Sequence, residues 1–164
     1  MGVQSTMRQA NGQSGTTELM VILCAEDDPD DRLLLRDAFN ESNADHTLLF
    51  VDDGELLVAY LKRQGEYREP TSSPRPKVIL LDLNMPRMSG REALRAIKAD
   101  SQLSAIPVIV FTTSTAEADV VDSYEIGANS YITKPVTYEG LVRLMGEVGR
   151  YWLEIVRLPA GLGT

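Results

Sequence analysis

The residues able to do chemistry in this chain stand at the ends of short strand-like runs, most of them apolar. Val78-Ile79-Leu80-Leu81 stops at a single carboxylate, Asp82, and the chain continues Leu83-Asn84-Met85-Pro86. The run Leu19 to Ala25 is followed by two carboxylates, Glu26 and Asp27. Pro107 to Phe111 leads to a hydroxyl, Thr112, and Ser130 to Thr133 leads to an ammonium, Lys134. Brought to one place, three carboxylates repel each other and do not all stay ionised without a cation. A small set of hard oxygen ligands, with room for water and a phosphate, suits Mg²⁺. Lys134 adds a positive point charge for an incoming anion, and Thr112 a hydroxyl donor. Such a set is suited to handling a phosphoryl group. Asp82 taken by itself serves equally well as the cap of a turn; agreement among several run ends is what favours chemistry.

For these side chains to meet, the runs must be neighbouring strands of one sheet. Four or more apolar residues without alternation fit a strand covered on both faces, as in a parallel sheet between helices. The first strand is expected over Leu19–Ala25, the second over Thr47–Val51, and the third ends at Asp82. Pro107–Thr112 and Ser130–Thr133 are the fourth and fifth. Between them the pattern turns helical. Asp28-Pro29 opens a helix to about Asn40, with Asp28 as its N-cap and Leu35, Ala38 and Phe39 on one face. Further helices are expected from Asp53 to Gln64, Ser89 to Ala99, Ala116 to Ile126 and Thr137 to Val156. Asp52 and Asp53 read as turn and cap residues, and Gly65 to Pro76 as a polar loop. Repeated alternation of this kind implies an α/β fold, a doubly wound five-stranded parallel sheet with five helices. Open sheets of that class bind ligands outside the carboxyl ends of their strands, where the charges above lie. The Lys134-Pro135 bond, with the cis fraction open to any X-Pro pair, offers a kink that turns the lysine toward the site.

Bulk properties narrow the function classes. The chain has 164 residues, 43% hydrophobic and 24% charged, enough for one domain with a proper core. Its net charge of −8 argues against binding a phosphate backbone, so no nucleic-acid partner is expected. The single cysteine, Cys24, lies in a strand pattern and reads as core filling. One histidine, His46, rules out multi-histidine metal sites and weakens any Ser-His-Asp reading. No apolar stretch approaches the roughly 18 residues of a membrane span. Residues 1–18, rich in Gly, Gln, Ser and Thr, lack the apolar region of a secretory signal and read as a disordered tail, with Met20 as an alternative start. A cytoplasmic setting is expected.

Four segments, in order, resemble the response-regulator receiver domain of two-component signalling. They are Val21-Ile22-Leu23-Cys24-Ala25-Glu26-Asp27-Asp28, Leu80-Leu81-Asp82-Leu83-Asn84-Met85-Pro86, Val110-Phe111-Thr112-Thr113-Ser114, and Gly127-Ala128-Asn129-Ser130-Tyr131-Ile132-Thr133-Lys134-Pro135. A closer likeness, to single-domain regulators that pair with phytochrome kinases, rests on three features. They are Leu61-Lys62-Arg63-Gln64-Gly65-Glu66-Tyr67 before a Pro-rich loop, Thr112-Thr113-Ser114, and Tyr151-Trp152-Leu153-Glu154-Ile155-Val156-Arg157-Leu158-Pro159. The resemblance places a receiver domain over 19–158, with 159–164 as a tail, and implies the flavodoxin-like strand order 2-1-3-4-5.

It also implies roles. An aspartate at the position of Asp82 accepts a phosphoryl group from a phosphohistidine of a sensor histidine kinase, and the closer likeness implies a phytochrome kinase. Asp27, Asp82 and the backbone carbonyl of Asn84 hold Mg²⁺, with Glu26 acting through water. Lys134 and Thr112 engage phosphoryl oxygens, while Asn84 and Ser114 flank the attacking water. Thr112 and Tyr131 form the switch, altering the face of the fourth helix, fifth strand and fifth helix. The chain departs from the family at Thr113, where a smaller residue is usual and crowding of the phosphoryl pocket is the concern. It departs again at Ser89, where aspartate is common before Gly90 and only a helix cap is affected. Beyond phosphoryl uptake and loss, no enzymatic activity is implied.

In the last helix Leu141, Met145, Val148, Trp152 and Ile155 recur as one stripe for packing on the sheet. Leu144, Tyr151, Val156 and Leu158 fall outside it, and an exposed apolar patch there marks a homodimer face. Beyond Pro135 the chain reads as one helix and a tail, so output is expected through protein contacts or phosphate relay. Two other readings compete. An aspartate-nucleophile phosphatase of the haloacid-dehalogenase type wants a second aspartate two residues after the first, where this chain has Asn84. A receiver-like scaffold that is never phosphorylated would not need the full acidic set, Thr112 and Lys134.

Overall fold

A computed structural model describes residues 20–43 and 45–159; the N-terminal tail expected over 1–18, Leu19 and the end of the C-terminal tail lie outside them. Strands β1 (Val21–Ala25), β2 (Thr47–Val51), β3 (Val78–Leu81), β4 (Val108–Thr112) and β5 (Ser130–Thr133) form one sheet in the order β2-β1-β3-β4-β5. All four pairings are parallel. Helices α1 (Pro29–Ser42), α2 (Gly54–Lys62), α3 (Gly90–Ala99), α4 (Glu117–Ile126) and α5 (Tyr138–Gly149) connect the strands and close the chain after β5. This is the doubly wound sheet the alternation implied, in the flavodoxin-like order the resemblance implied.

Successive strand residues point to opposite faces, so each strand feeds two cores. Leu23, Ala25, Ile79, Leu81, Val108 and Val110 pack with Leu57, Leu61, Leu94 and Ile97 of α2 and α3. Ile22, Cys24, Val78, Leu80, Ile109 and Phe111 pack with Leu35, Phe39, Leu141 and Met145 of α1 and α5. Every residue of β3 is buried, which is why its run is apolar without alternation. Cys24 is core filling, as expected, and burial pushes its thiol pKa far up.

Helix ends obey local chemistry. The Asp28 carboxylate accepts from the N–H groups of Asp30 and Asp31, Asp53 caps α2 through Leu56 N–H, and Ser89 caps α3 through Glu92 N–H. Helix α2 stops at Lys62, two residues before the expected Gln64, because Arg63 takes a left-handed conformation at φ 53°. The loop after it holds a 3₁₀ turn at Gly65–Tyr67. Among the described residues no helix is long and apolar enough to cross a membrane.

The last helix departs from its predicted stripe. After Gly149 the backbone widens into a π-helical turn over Arg150–Ile155, and Val156 N–H reaches back five residues to Tyr151 C=O. Each such step advances the inward face by an extra position. Leu153 succeeds Val148 in the core, the expected Trp152 packs against it only partly buried, and Ile155 is 59% exposed. A heptad-like reading has no means to foresee the change, because it assumes 3.6 residues per turn. Leu153→Ala is therefore expected to cost about 3 kcal/mol in chemical denaturation. Ile155→Ala should cost less than about 0.5 kcal/mol, and the reverse order would restore the regular helix.

Candidate functional site

The ladder itself delivers the site residues to one edge. Beyond the last paired residues, Glu26 N–H donates to Val51 C=O at 3.1 Å and Asp82 N–H donates to Ala25 C=O at 3.3 Å. Lys134 N–H donates to Thr112 C=O at 2.8 Å. Glu26, Asp82 and Lys134 are thus locked one step past the carboxyl ends of β1, β3 and β5, beside Thr112 at the end of β4. Among the described residues every peptide bond is trans, so no cis Lys134-Pro135 bond turns the lysine inward. Its place at the end of β5 is sufficient.

The Lys134 ammonium lies between two carboxylates, 2.6 Å from Glu26 Oε2 and 2.8 Å from Asp82 Oδ2. Asp31 Oδ2 stands 3.6 Å away, and the Phe111 ring lies beneath with its centroid at 5.8 Å. Glu26, Asp82 and Thr112 are buried, while Asp27 is exposed beside them. Burial raises the Glu26 carboxyl to about 7 against the pull of the Lys134 hydrogen bond and charge. Burial alone would lower the lysine; hydrogen bonds to Asp82 and Glu26 outweigh it and hold the ammonium above its ordinary value. The second Asp82 oxygen, Oδ1, accepts from Asn84 N–H at 3.1 Å.

One ammonium therefore faces Glu26, Asp82 and Asp31, with exposed Asp27 next to Glu26 in the chain, a set of hard oxygens with negative charge to spare. No group of three or more His, Cys, Asp or Glu side chains among the described residues forms a cage by itself. That is compatible with Mg²⁺, which takes one or two carboxylates and completes its shell with water and phosphate oxygens. The residues fit such an ion.

Residues 22–145 match the family described as the response regulator receiver domain. This chain belongs to that family. The receiver is 44% identical to response regulator Rcp1 of Synechocystis over 140 residues, 85% of this chain and 93% of that protein. The crystal structure of the Mn²⁺-bound form of Rcp1 matches 86% of this chain and 99% of its own with a TM-score of 0.77. The phosphorylated cyanobacterial phytochrome response regulator RcpA, 38% identical, covers 87% of this chain and 99% of its own with a TM-score of 0.79. The protein is a receiver domain of two-component signalling.

Around the acidic centre the receiver holds features that the apolar runs did not signal. Gly90 packs directly on the Asp82 backbone, where a Cβ would stand 2.1 Å from Asp82 O and 2.7 Å from Leu83 Cα. Asp31 joins the ammonium from the first turn of α1; its position four residues after Asp27, at the same sheet edge, was the available clue. Asp53 is both the α2 cap and the partner of Arg87, whose Nη1 lies 2.9 Å from Asp53 Oδ2. Tyr131 is half-buried against the α2–α3 core and donates its hydroxyl to Ser114 C=O at 2.9 Å. Thr113 is exposed.

Proposed function

We propose that Asp82 accepts a phosphoryl group from a phosphohistidine of a sensor histidine kinase and that the acyl phosphate is the signal. The observation that carries this reading is the buried Glu26–Lys134–Asp82 triad at the carboxyl edge of the sheet. An Asp82 Oδ attacks the phosphorus; the phosphorus–nitrogen bond breaks and its electron pair stays on the kinase imidazole. Lys134, released from Asp82 Oδ2, pairs with a phosphoryl oxygen, and the Thr112 hydroxyl donates to another. Because the transferring group is loosely bonded and highly charged, placing these groups in advance supplies most of the catalysis. Asp27, Asp82 and the carbonyl of Asn84 would hold Mg²⁺, with Glu26 joined through water, and the ion would neutralise phosphoryl charge. Asn84 and Ser114 flank the path of the water that later removes the phosphoryl group.

Thr112 and Tyr131 form the switch in this reading. Movement of Thr112 toward the phosphoryl group, and of the Tyr131 ring with it, repacks the α4–β5–α5 face. The likeness to RcpA supports a phytochrome kinase as donor. Incubation with acetyl phosphate and Mg²⁺ tests the assignment: intact mass should rise by one phosphoryl group, and a chelator should abolish the rise. An unmodified chain would leave a scaffold instead.

The exposed side of the last helix is proposed as a homodimer face. Tyr151 and Ile155 are 50% and 59% exposed. Beside them a groove of about 400 Å³ is lined by Ile132, Leu144, Val148, Tyr151 and Trp152. Sedimentation at micromolar concentration should show a dimer that Tyr151→Glu weakens; a monomer with and without phosphorylation would remove the proposal.

A further inference from the structure

The loop after β4 is tied down at every polar atom of Ser114. Its N–H points to Thr112 Oγ1 at 3.5 Å, and its carbonyl accepts from the Tyr131 hydroxyl at 2.9 Å. Its hydroxyl accepts from Ala116 N–H at 3.3 Å and donates to Asp119 Oδ2 on α4 at 2.5 Å. The other carboxylate oxygen of Asp119 takes the Arg91 guanidinium, which reaches across from the first turn of α3. Arg91 also lies 3.9 Å from Asp122 Oδ2 and stands next to Gly90, the residue packed on the Asp82 backbone. A chain of polar contacts thus runs from beside Asp82, through Arg91 and Asp119, to Ser114 and the two switch residues.

A serine hydroxyl has one proton to give. Here that proton is committed to Asp119, and Arg91 fixes the carboxylate that receives it. We propose that Asp119, held by Arg91, is a positioning residue that withholds the Ser114 hydroxyl from the phosphoryl pocket and so lengthens the life of the phosphorylated state. The inference rests on Asp82 as phosphoryl acceptor. The step it governs is hydrolysis: a water oxygen bonds to phosphorus, the phosphorus–oxygen bond to Asp82 breaks, and the carboxylate leaves with that electron pair. The water proton goes to the departing inorganic phosphate. Freed from Asp119, the Ser114 hydroxyl is able to orient that water.

The test tracks loss of the adduct by intact mass after acetyl phosphate is removed. Asp119→Ala is expected to shorten the lifetime about fivefold, the factor set by one hydrogen bond of ordinary strength. Arg91→Gln should act in the same direction, and Arg91→Lys should restore much of the lifetime. The double variant Ser114→Ala/Asp119→Ala should decay like Ser114→Ala alone, because no hydroxyl is left to release. A wild-type rate in Asp119→Ala, or a further fivefold loss in the double variant, overturns the proposal. Hydrogen exchange of the unphosphorylated chain supplies a second readout. Asp119→Ala should speed exchange at the amides of residues 114–119 and leave those of β1 and β3 unchanged; unaltered loop amides also overturn it. Failure of the wild type to accept a phosphoryl group would remove the Asp82 reading, and exchange would then decide whether the latch exists.

Discussion

Asp82→Asn is expected to abolish the Mg²⁺-dependent phosphoryl adduct while leaving the fold intact. The amide has the carboxylate's shape, but Asn84 N–H and Lys134 sit on different Asp82 oxygens, so its single oxygen keeps one of the two bonds. It lacks the charge and nucleophilicity needed to attack phosphorus, and it removes a charge from the proposed Mg²⁺ ligands. Intact mass after acetyl phosphate should show no added group, against a wild-type control that shows one. Because Lys134 keeps Glu26 as a partner at 2.6 Å, no buried charge is stranded and the unfolding midpoint should change little. An adduct persisting in Asp82→Asn would move the acceptor to another carboxylate at the same edge, Asp27 or Asp31.

Lys134→Met should have the larger effect on stability. The substitution keeps an apolar stem over Phe111 but takes the one ammonium from between Glu26 and Asp82. Breaking a buried ion pair on one side costs about 3 kcal/mol or more, since the remaining charge is left in a poor solvent. The pH dependence has a definite sign. Glu26 titrates near 4.5 when unfolded and at about 7 in the fold, and loss of the lysine moves the folded value higher still. The folded chain then binds the proton more tightly than the unfolded one. In the variant this group's contribution is fully present below about 4.5 and is lost as pH rises through a folded value above the wild type's, which is about 7. Denaturant unfolding of Lys134→Met should therefore show its greatest deficit on the alkaline side. Millimolar Mg²⁺ should recover part of it, because a bound cation replaces the missing charge. A variant as stable as wild type at alkaline pH would mean that solvent, not Lys134, compensates the carboxylates.

The architecture was legible because burial leaves a direct imprint on composition. A strand covered on both faces has no room for polar residues, so β3 and β4 read as unbroken apolar runs, and the first polar residue past each run marks the open edge. That rule located Glu26, Asp82 and Thr112 without any knowledge of which strands were neighbours, whereas Lys134 follows the half-polar β5 and was placed by the alternation of strands and helices. The caps at Asp28, Asp53 and Ser89 were legible for a similar reason, since helix starts need a local acceptor for N–H groups that lack a helical partner.

Other features depended on distances between residues remote in sequence. Nothing in the chain near Asp119 announces that its carboxylate joins Arg91 of α3 to Ser114 of the β4–α4 loop, because surface acids and bases are common and most are solvated. The π-helical turn was hidden too: it changes which residues face inward while using the same apolar composition, so Leu153 is buried outright, Trp152 only in part and Ile155 hardly at all. The pKa of Glu26 is a third case, set by how deeply the packed strands bury it. By itself the sequence determined the layered fold and the identity of the acidic centre, since both come from local apolar pattern and residue type. Only the tertiary structure decided how those charges are paired and which carboxylate receives the Ser114 hydroxyl, because Coulombic and hydrogen-bond energies depend on separations of a few ångströms that no linear pattern encodes.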